Sequence, residues 1–116
     1  SIESIREVFT NRRITVLFQP HLYSRTLDFY KDFAKSLSLA DEVILTQIYP
    51  AREKPIKGVT SKLIYDDLRP DIKKNICDKK DVCELIRKEN MDVLIVLGAG
   101  DIVDLMPEIK KIMEDQ

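Results

Sequence analysis

The stretch ITVLFQPHLYSRT, residues 14–26, decides the fold class because its character changes abruptly in the middle. Residues 14–18 are mostly apolar and rich in β-branched side chains, and a short apolar run predicts a strand that is buried on both faces. Pro20 predicts the end of that strand. The only histidine of the chain, His21, is therefore expected just beyond the end of a buried strand.

Helices and strands alternate along the rest of the chain. Further short apolar runs predict strands within residues 41–50, 72–77 and 91–97. Apolar residues at helical spacing predict helices within residues 1–13, 26–39, 61–69 and 81–90 and after residue 100. The expected N-terminal caps are Ser4 for the first helix, Ser24 or Thr26 for the second and Asp81 for the fourth. In the last helix, Pro107 predicts a break or a fresh first turn. This alternation predicts a Rossmann-like three-layer α/β/α sandwich with a mainly parallel sheet.

The composition is that of one globular domain. The chain has 116 residues, of which 44% are hydrophobic and 34% charged, so we expect a single domain over residues 1–116. A formal net charge of -1 offers no excess of basic charge for binding nucleic acid or a membrane surface. No apolar stretch approaches the roughly 20 residues needed to cross a bilayer, and no signal peptide is visible, which predicts a cytoplasmic protein.

Residues typical of metal sites and of covalent catalysis are scarce. The two cysteines, Cys77 and Cys83, are too few for a disulfide framework, and with a single histidine they make no metal-binding pattern. We expect both to be buried, inert thiols, and we expect no metal site. The sequence also contains no P-loop motif and no Ser-His-Asp order, so no catalytic residue is assigned.

Three polar segments follow strands of the predicted sheet. Residues 19–26, 47–58 and 98–101 each come after the carboxyl end of a strand. A parallel sheet brings such ends to one edge, where ligands bind. In the first segment, His21 and Arg25 stand near a predicted helix N-terminus, where an imidazole and a cation can hold a carboxylate or a phosphate. A purely structural turn is the alternative.

The other two segments each have two interpretations. LGAGD, residues 97–101, resembles the start of a dinucleotide fingerprint, but the third glycine is missing and the motif follows the last strand, which favours a tight turn. Asp101 either caps the final helix or reaches a ligand. YPAREKPIKG, residues 49–58, is either a solvated loop or a mobile lid over a site.

Three motifs, in this order and at this spacing, resemble the C-terminal domain of the Mur ligases. They are FQPHLYSRT at residues 18–26, ADEVILTQIYPAREKPIKG at residues 40–58 and VLGAGDI at residues 96–102. The resemblance spans nearly the whole chain. Within the family it is strongest to the members that attach L-alanine to UDP-N-acetylmuramate.

The resemblance implies a role in peptidoglycan biosynthesis. Members of the family have a UDP-sugar domain, a central ATPase domain and this Rossmann-like domain, which closes the site and presents the amino acid. ATP and Mg2+ convert the muramate carboxyl group into an acyl phosphate, which the amine of L-alanine attacks. We expect residues 1–116 to lack the first two domains and the first strand of the third, to bind no cofactor alone and to be inactive alone.

The family's Gln-Pro-His-Arg-aromatic-Ser/Thr-Arg motif maps onto residues 19–25. The resemblance implies that His21, Ser24 and Arg25 face the amino acid, with arginines placed to pair its carboxylate. Leu22 stands where the family usually has arginine, which removes one cation and bears on which amino acid is bound. The residues implied to shape the closed site or to lie near the nucleotide are Tyr49, Gly98, Gly100 and Asp101.

A function of a different class stays open on the residues alone. The chain could serve as a free-standing α/β module that binds a nucleotide or a carboxylate without catalysis, using residues 97–101 for a phosphate. The missing third glycine counts against this interpretation. A P-loop encoded upstream in the same reading frame would favour the ligase.

Overall fold

The sheet is entirely parallel, as seen in a computed structural model that describes residues 2–116. The described residues form strands β1 Ile14–Phe18, β2 Glu42–Leu45, β3 Lys73–Ile76 and β4 Val93–Leu97. Their order is β3-β2-β1-β4, and Val16 at the centre of β1 pairs with Val43 on one side and Ile95 on the other. The four strands lie within the segments that apolar runs predict, and β3 is at an edge as expected.

Helices cover both faces of the sheet. They are α1 Ile2–Val8, α2 Tyr23–Leu37, α3 Lys62–Asp67, α4 Lys79–Glu89, the 3-10 helix Asp101–Leu105 and α5 Met106–Glu114. Successive strand residues point to opposite faces, so Val16 packs in a core beneath α1, α2 and α3, whereas Leu17 packs in a second core beneath α4 and α5. The predicted three-layer sandwich is confirmed.

The starts of α1 and α4 differ from the prediction. Residue 1 lies outside the described residues, and α1 already includes Ile2, so Ser4 lies within the helix and does not cap it. Val8, although apolar and at helical spacing from Ile5, is 74% exposed. Helix α4 begins at Lys79 after Asp78, so Asp81 lies in the first turn and is not the cap. Periodicity reveals the apolar face of a helix but not the residue where helical dihedral angles begin.

Helix α2 begins at Tyr23, earlier than the apolar spacing predicts. The N-cap position is held by Leu22 at φ 70° and ψ 140°, and neither Ser24 nor Thr26 caps the helix. The Thr26 hydroxyl instead donates to the carbonyl oxygen of Leu22 at 2.8 Å, a bond typical of a threonine inside a helix. At the other end of the chain, Pro107 lies in the first turn of α5, so it marks a fresh first turn.

The two cysteines are free, as expected, but they differ in burial. Cys83 is buried, whereas Cys77 is only half-buried. Burial, followed by the charges of Asp81 and Asp78, raises the pKa of Cys77 to about 11, and burial also raises the pKa of Cys83. Both groups therefore stay as poorly nucleophilic thiols at neutral pH.

The strand order creates a switch point at the carboxyl edge. The chain runs outward from β1 to β2 and β3 and then returns to place β4 on the other side of β1. The turn after β1 leads to α2 on one face, and the turn after β4 leads to α5 on the other. Ligands of open parallel sheets bind where neighbouring turns diverge in this way. Across residues 2–116, no helix combines the length and the apolar character that crossing a bilayer requires.

Candidate functional site

A pocket of about 330 Å³ opens at the carboxyl edge of the sheet. Its walls come from Gln19 after β1, residues 46–51 after β2, Lys79 at the start of α4 and Asp101 after β4. The turns after four strands therefore meet around one pocket. This volume is at the small end of the range for ligand pockets, which suits a small polar molecule.

Gln19 joins the turn after β1 to the turn after β4. Its side-chain amide donates to Asp101 Oδ1 at 2.6 Å, and its Oε1 accepts from the backbone N–H of Ile102 at 3.1 Å. Only 4% of Gln19 is exposed, so the bond to Ile102 is buried, whereas the bond to Asp101 is partly open to water. Gln19 was not predicted as a site residue. Its position directly after a buried strand is the sequence feature that could have identified it.

Position 100 has room only for a glycine, because neighbouring side chains of the same chain occupy the place of a Cβ atom. A Cβ atom at this position would lie 2.3 Å from Tyr49 Cδ1 and 2.7 Å from Gln19 Oε1. A Cβ atom at Gly98 would lie 2.8 Å from a methyl carbon of Ile102. The glycines thus let the turn pack against its own neighbours. Tyr49 and Gln19 therefore fill the space beside Gly100, and the N–H of Ile102, which could reach a phosphate, already donates to Gln19.

Asp101 is held as a carboxylate between two donors. The bond from Gln19 is the main cause that lowers the pKa of Asp101, and Lys79 contributes from 3.2 Å, while partial burial acts in the opposite direction. Asp101 opens the 3-10 helix but makes no side-chain capping bond. Lys79 was missed at the sequence level, although it follows the carboxyl end of β3 as the other site residues follow their strands.

The turn from His21 to Arg25 stands beside this pocket. His21 forms a parallel bridge with Tyr49, and their ring centroids are 5.9 Å apart. The Arg25 side chain is exposed, and its guanidinium carbon lies 5.5 Å from the centre of the Phe29 ring. The structure brings His21 close to Tyr49, but neither His21 nor Arg25 lines the pocket.

Ser24 is engaged by a residue from the β2–α3 loop. The backbone N–H of Ser24 donates to Glu53 Oε1 at 2.9 Å, and its hydroxyl donates to Glu53 Oε2 at 2.5 Å. The segment 49–58 is therefore tied to the turn that carries His21 and Arg25. The sequence predicted either a solvated loop or a mobile lid for this segment, and it did not predict the contact with Ser24.

Neither a cluster of metal-binding side chains nor open space at the glycine turn is found among the described residues. Within residues 2–116, no group of three or more His, Cys, Asp or Glu side chains is placed to hold a metal. The glycine turn is filled by Tyr49 and Gln19, as described above.

Comparison with known proteins gives a consistent result, although no family model matches the chain. It is 60% identical over 109 residues, 94% of its length, to UDP-N-acetylmuramate–L-alanine ligase of Phocaeicola vulgatus, and 49% identical over 115 residues to that of Porphyromonas gingivalis. The crystal structure of UDP-N-acetylmuramate-alanine ligase from Thermotoga maritima matches 98% of the chain with a TM-score of 0.72 and 27% identity.

The matches cover only part of each relative. The chain spans 24% of the Phocaeicola protein, 25% of the Porphyromonas protein and 23% of the Thermotoga chain. High identity across one quarter of these proteins, together with the shared fold, assigns this sequence to one of their domains. The chain therefore belongs to the Mur ligase family, where it corresponds to the C-terminal domain of the UDP-N-acetylmuramate–L-alanine ligases.

Proposed function

We propose that this chain is the substrate-closing domain of an ATP-dependent ligase that joins L-alanine to UDP-N-acetylmuramate in peptidoglycan biosynthesis in the cytoplasm. The observation that carries this proposal is the 60% identity to the Phocaeicola ligase over nearly the whole chain. Two features of the carboxyl edge support it. Gln19, two residues before His21, is bonded to Asp101 there, and the pocket that these two residues line is small and polar.

The first turn of α2 is proposed to face the amino acid. His21 beside Tyr49 and the exposed guanidinium of Arg25 supply a ring nitrogen and a fixed cation for the carboxylate of L-alanine. Ser24 lies between them on the same turn. Gln19, with Asp101, holds the neighbouring turn in place without contacting the amino acid. In this view Tyr49, Gly98, Gly100 and Asp101 shape the site.

Leu22 bears on the affinity of this proposed site. It occupies the N-cap position of α2, where the family motif usually has arginine. One charge-assisted hydrogen bond is worth about 1.5–3 kcal/mol, so a missing arginine weakens carboxylate binding by about tenfold or more if no other cation replaces it. Arg25 then becomes the main cation of this turn.

ATP and Mg2+ are proposed to be bound by the central ATPase domain of the complete ligase. The glycine turn of this domain is filled by its own side chains. The role of this domain is to bring the amine of L-alanine to the acyl phosphate, which Mg2+ and ATP generate elsewhere. Alone it should not turn over substrate.

The test is an assay of the complete ligase with L-alanine, glycine and L-serine, together with amide NMR of this chain during titration with the same amino acids and ATP. We expect ATP-dependent ligation with L-alanine preferred, and shifts at residues 19–26 on adding amino acids. Shifts with ATP confined to residues 97–101 and no ligation by the complete protein would instead favour a nucleotide-binding module, an alternative that the filled space at Gly100 disfavours.

A further inference from the structure

Helix α2 begins without a side-chain cap of its own. The first backbone N–H groups of any helix lack partners inside the helix, and Ser, Thr, Asp or Asn usually supplies an acceptor at the N-cap. Here the N-cap is Leu22, which has no side-chain acceptor and adopts a positive φ of 70°. Fifteen residues of helix therefore start from a turn that needs an acceptor from elsewhere in the chain.

Glu53 supplies that acceptor from 29 residues away. Its carboxylate accepts two hydrogen bonds from Ser24, one from the backbone N–H and one from the hydroxyl. The hydroxyl bond and then the backbone bond lower the pKa of Glu53, with smaller contributions from the backbone N–H of Tyr23 and the charge of His21. The carboxylate therefore stays ionised at neutral pH, where it also complements the positive end of the helix dipole.

The loop is built to present Glu53 to this turn. The backbone of Tyr49 makes two hydrogen bonds with the turn after β1. Its N–H donates to the carbonyl of Pro20 at 2.8 Å, and its carbonyl accepts from the N–H of Leu22 at 2.9 Å. The chain then reverses in a tight turn, in which the N–H of Glu53 donates to the carbonyl of Pro50 at 2.8 Å and Ala51 adopts a φ of 52°. The two turns form one hydrogen-bonded unit.

We infer that Glu53 is a positioning residue, which acts through Ser24 to fix the first turn of α2 and thereby orients His21 and Arg25 toward the amino-acid carboxylate. This inference rests on the proposed function. It also refines the role of Ser24, because both of its donors already serve Glu53. Ser24 then anchors the turn, and His21 and Arg25 make the contacts with the amino acid.

Kinetics of the complete ligase test the positioning role. Glu53→Ala should raise the KM for L-alanine about tenfold or more while kcat changes little, because Glu53 orients the binding residues and does not touch the reacting atoms. Glu53→Gln keeps an acceptor for the Ser24 N–H and should give a smaller rise. Ser24→Ala and Glu53→Ala should be non-additive when combined. The matched control is Glu7→Gln on the exposed part of α1, with unchanged KM.

Hydrogen exchange of the 116-residue chain tests the contact independently of activity. Glu53→Ala should speed exchange of the Ser24 amide about tenfold, with the first turn of α4 unaffected. Unchanged exchange at Ser24, or an unchanged KM with an active ligase, overturns the inference. If Glu53→Ala fails to fold, Glu53→Gln and Ser24→Ala carry both measurements. An inactive wild-type ligase would refute the proposed function, while exchange at Ser24 would still decide whether Glu53 holds the turn.

Discussion

The two edges of the sheet both carry charged networks, but these networks join different parts of the molecule. At the amino edge, the Glu42 side chain is 1% exposed and accepts from Arg13 at 3.1 Å and from the Thr15 hydroxyl at 3.2 Å. At the carboxyl edge, the Asp101 side chain is 46% exposed and joins Gln19 to Lys79. One network is buried between strands, and the other connects loops at the surface.

The difference indicates that the amino edge serves mainly stability and the carboxyl edge mainly recognition. Contacts at the amino edge tie the starts of strands together, since Asp41 also accepts from the backbone N–H of Ile14 at 2.8 Å and Asp92 pairs with Arg12. Contacts at the carboxyl edge fix loops around a pocket. Binding residues on loops held by a rigid scaffold are typical of functional edges. We therefore expect mutations at the amino edge to affect mainly stability, and mutations at the carboxyl edge to affect mainly recognition.

The largest effect on stability is expected from Arg13→Ala at the amino edge. It leaves the buried Glu42 carboxylate with the Thr15 hydroxyl and with Lys73 at 3.8 Å, and among the described residues no donor reaches Glu42 Oε2 within hydrogen-bonding distance. The free energy of unfolding in urea should fall by about 2.5 kcal/mol, less than for a fully buried ion pair, because Glu42 is buried but the Arg13 side chain is 50% exposed.

A matched control for this change is Lys62→Ala, which removes an exposed pair with Asp66. Its effect should stay below about 0.5 kcal/mol, because exposed pairs four residues apart on a helix contribute little. Equal losses in the two variants would show that the buried network at the amino edge has no special role in stability.

Gly100→Ala should lower the free energy of unfolding by about 2 kcal/mol, because the added methyl group overlaps the Tyr49 ring and the Gln19 side chain. Amide NMR shifts should spread to residues 19 and 102. In Gly58→Ala, no atom lies within 4 Å of the new Cβ, and only the positive φ of 81° costs stability, about 1 kcal/mol. If the amide NMR shifts of both variants were confined to the neighbours of the substituted residue in sequence, the packing role of Gly100 would be contradicted.

Asp101→Asn tests the charge at the carboxyl edge through pH. The pKa of Asp101 lies below its ordinary value of 3.8 in the folded chain, so its contribution is complete above that pH and is lost as the pH falls through the folded value. Because the side chain is about half exposed, the variant should lose only about 1 kcal/mol at pH 7. The difference from wild type in urea unfolding should shrink below about pH 4. A difference that grows in acid would refute this.

Among the variants at the two edges, the smallest effect on stability is expected from Arg25→Ala, the counterpart of Arg13→Ala. Loss of the exposed contact with Phe29 should cost only about 0.5 kcal/mol. The KM of the complete ligase for L-alanine should nevertheless rise about tenfold or more, because the cation proposed to pair the carboxylate is gone. A stability loss as large as that of Arg13→Ala, with an unchanged KM, would erase the distinction between the two edges.

Much of the fold could be predicted because its signals are local. The apolar runs at residues 14–18 and 91–97 predict strands, and the structure contains β1 and β4 there. Helix starts were harder to predict. Ser24 has the side chain of a cap, but the backbone enters the helix earlier, at Leu22, because the loop with Tyr49 and Glu53 holds the turn. Because Glu53 supplies the cap from 29 residues away, the sequence around the start of α2 contains no sign of it.

The candidate site was predictable in its place and less so in its contacts. The rule that parallel strands share a carboxyl edge brings residues 19–26 and 98–101 together before any coordinates are known. It does not reveal that Gln19 bonds Asp101 or that Tyr49 fills the space above Gly100. These contacts depend on β4 lying beside β1, which is a matter of strand order.

The amino-acid sequence by itself determined the alternation of strands and helices, the parallel sheet and the edge at which the polar turns meet, because each follows from periodicity within short segments. Only the tertiary structure decided which side chains meet at that edge. It pairs Ser24 with Glu53 and Gln19 with Asp101, 29 and 82 residues apart, and it buries Glu42 at the opposite edge. Such pairs form when the chain returns across its own sheet, and hydrophobic periodicity carries no information on that path.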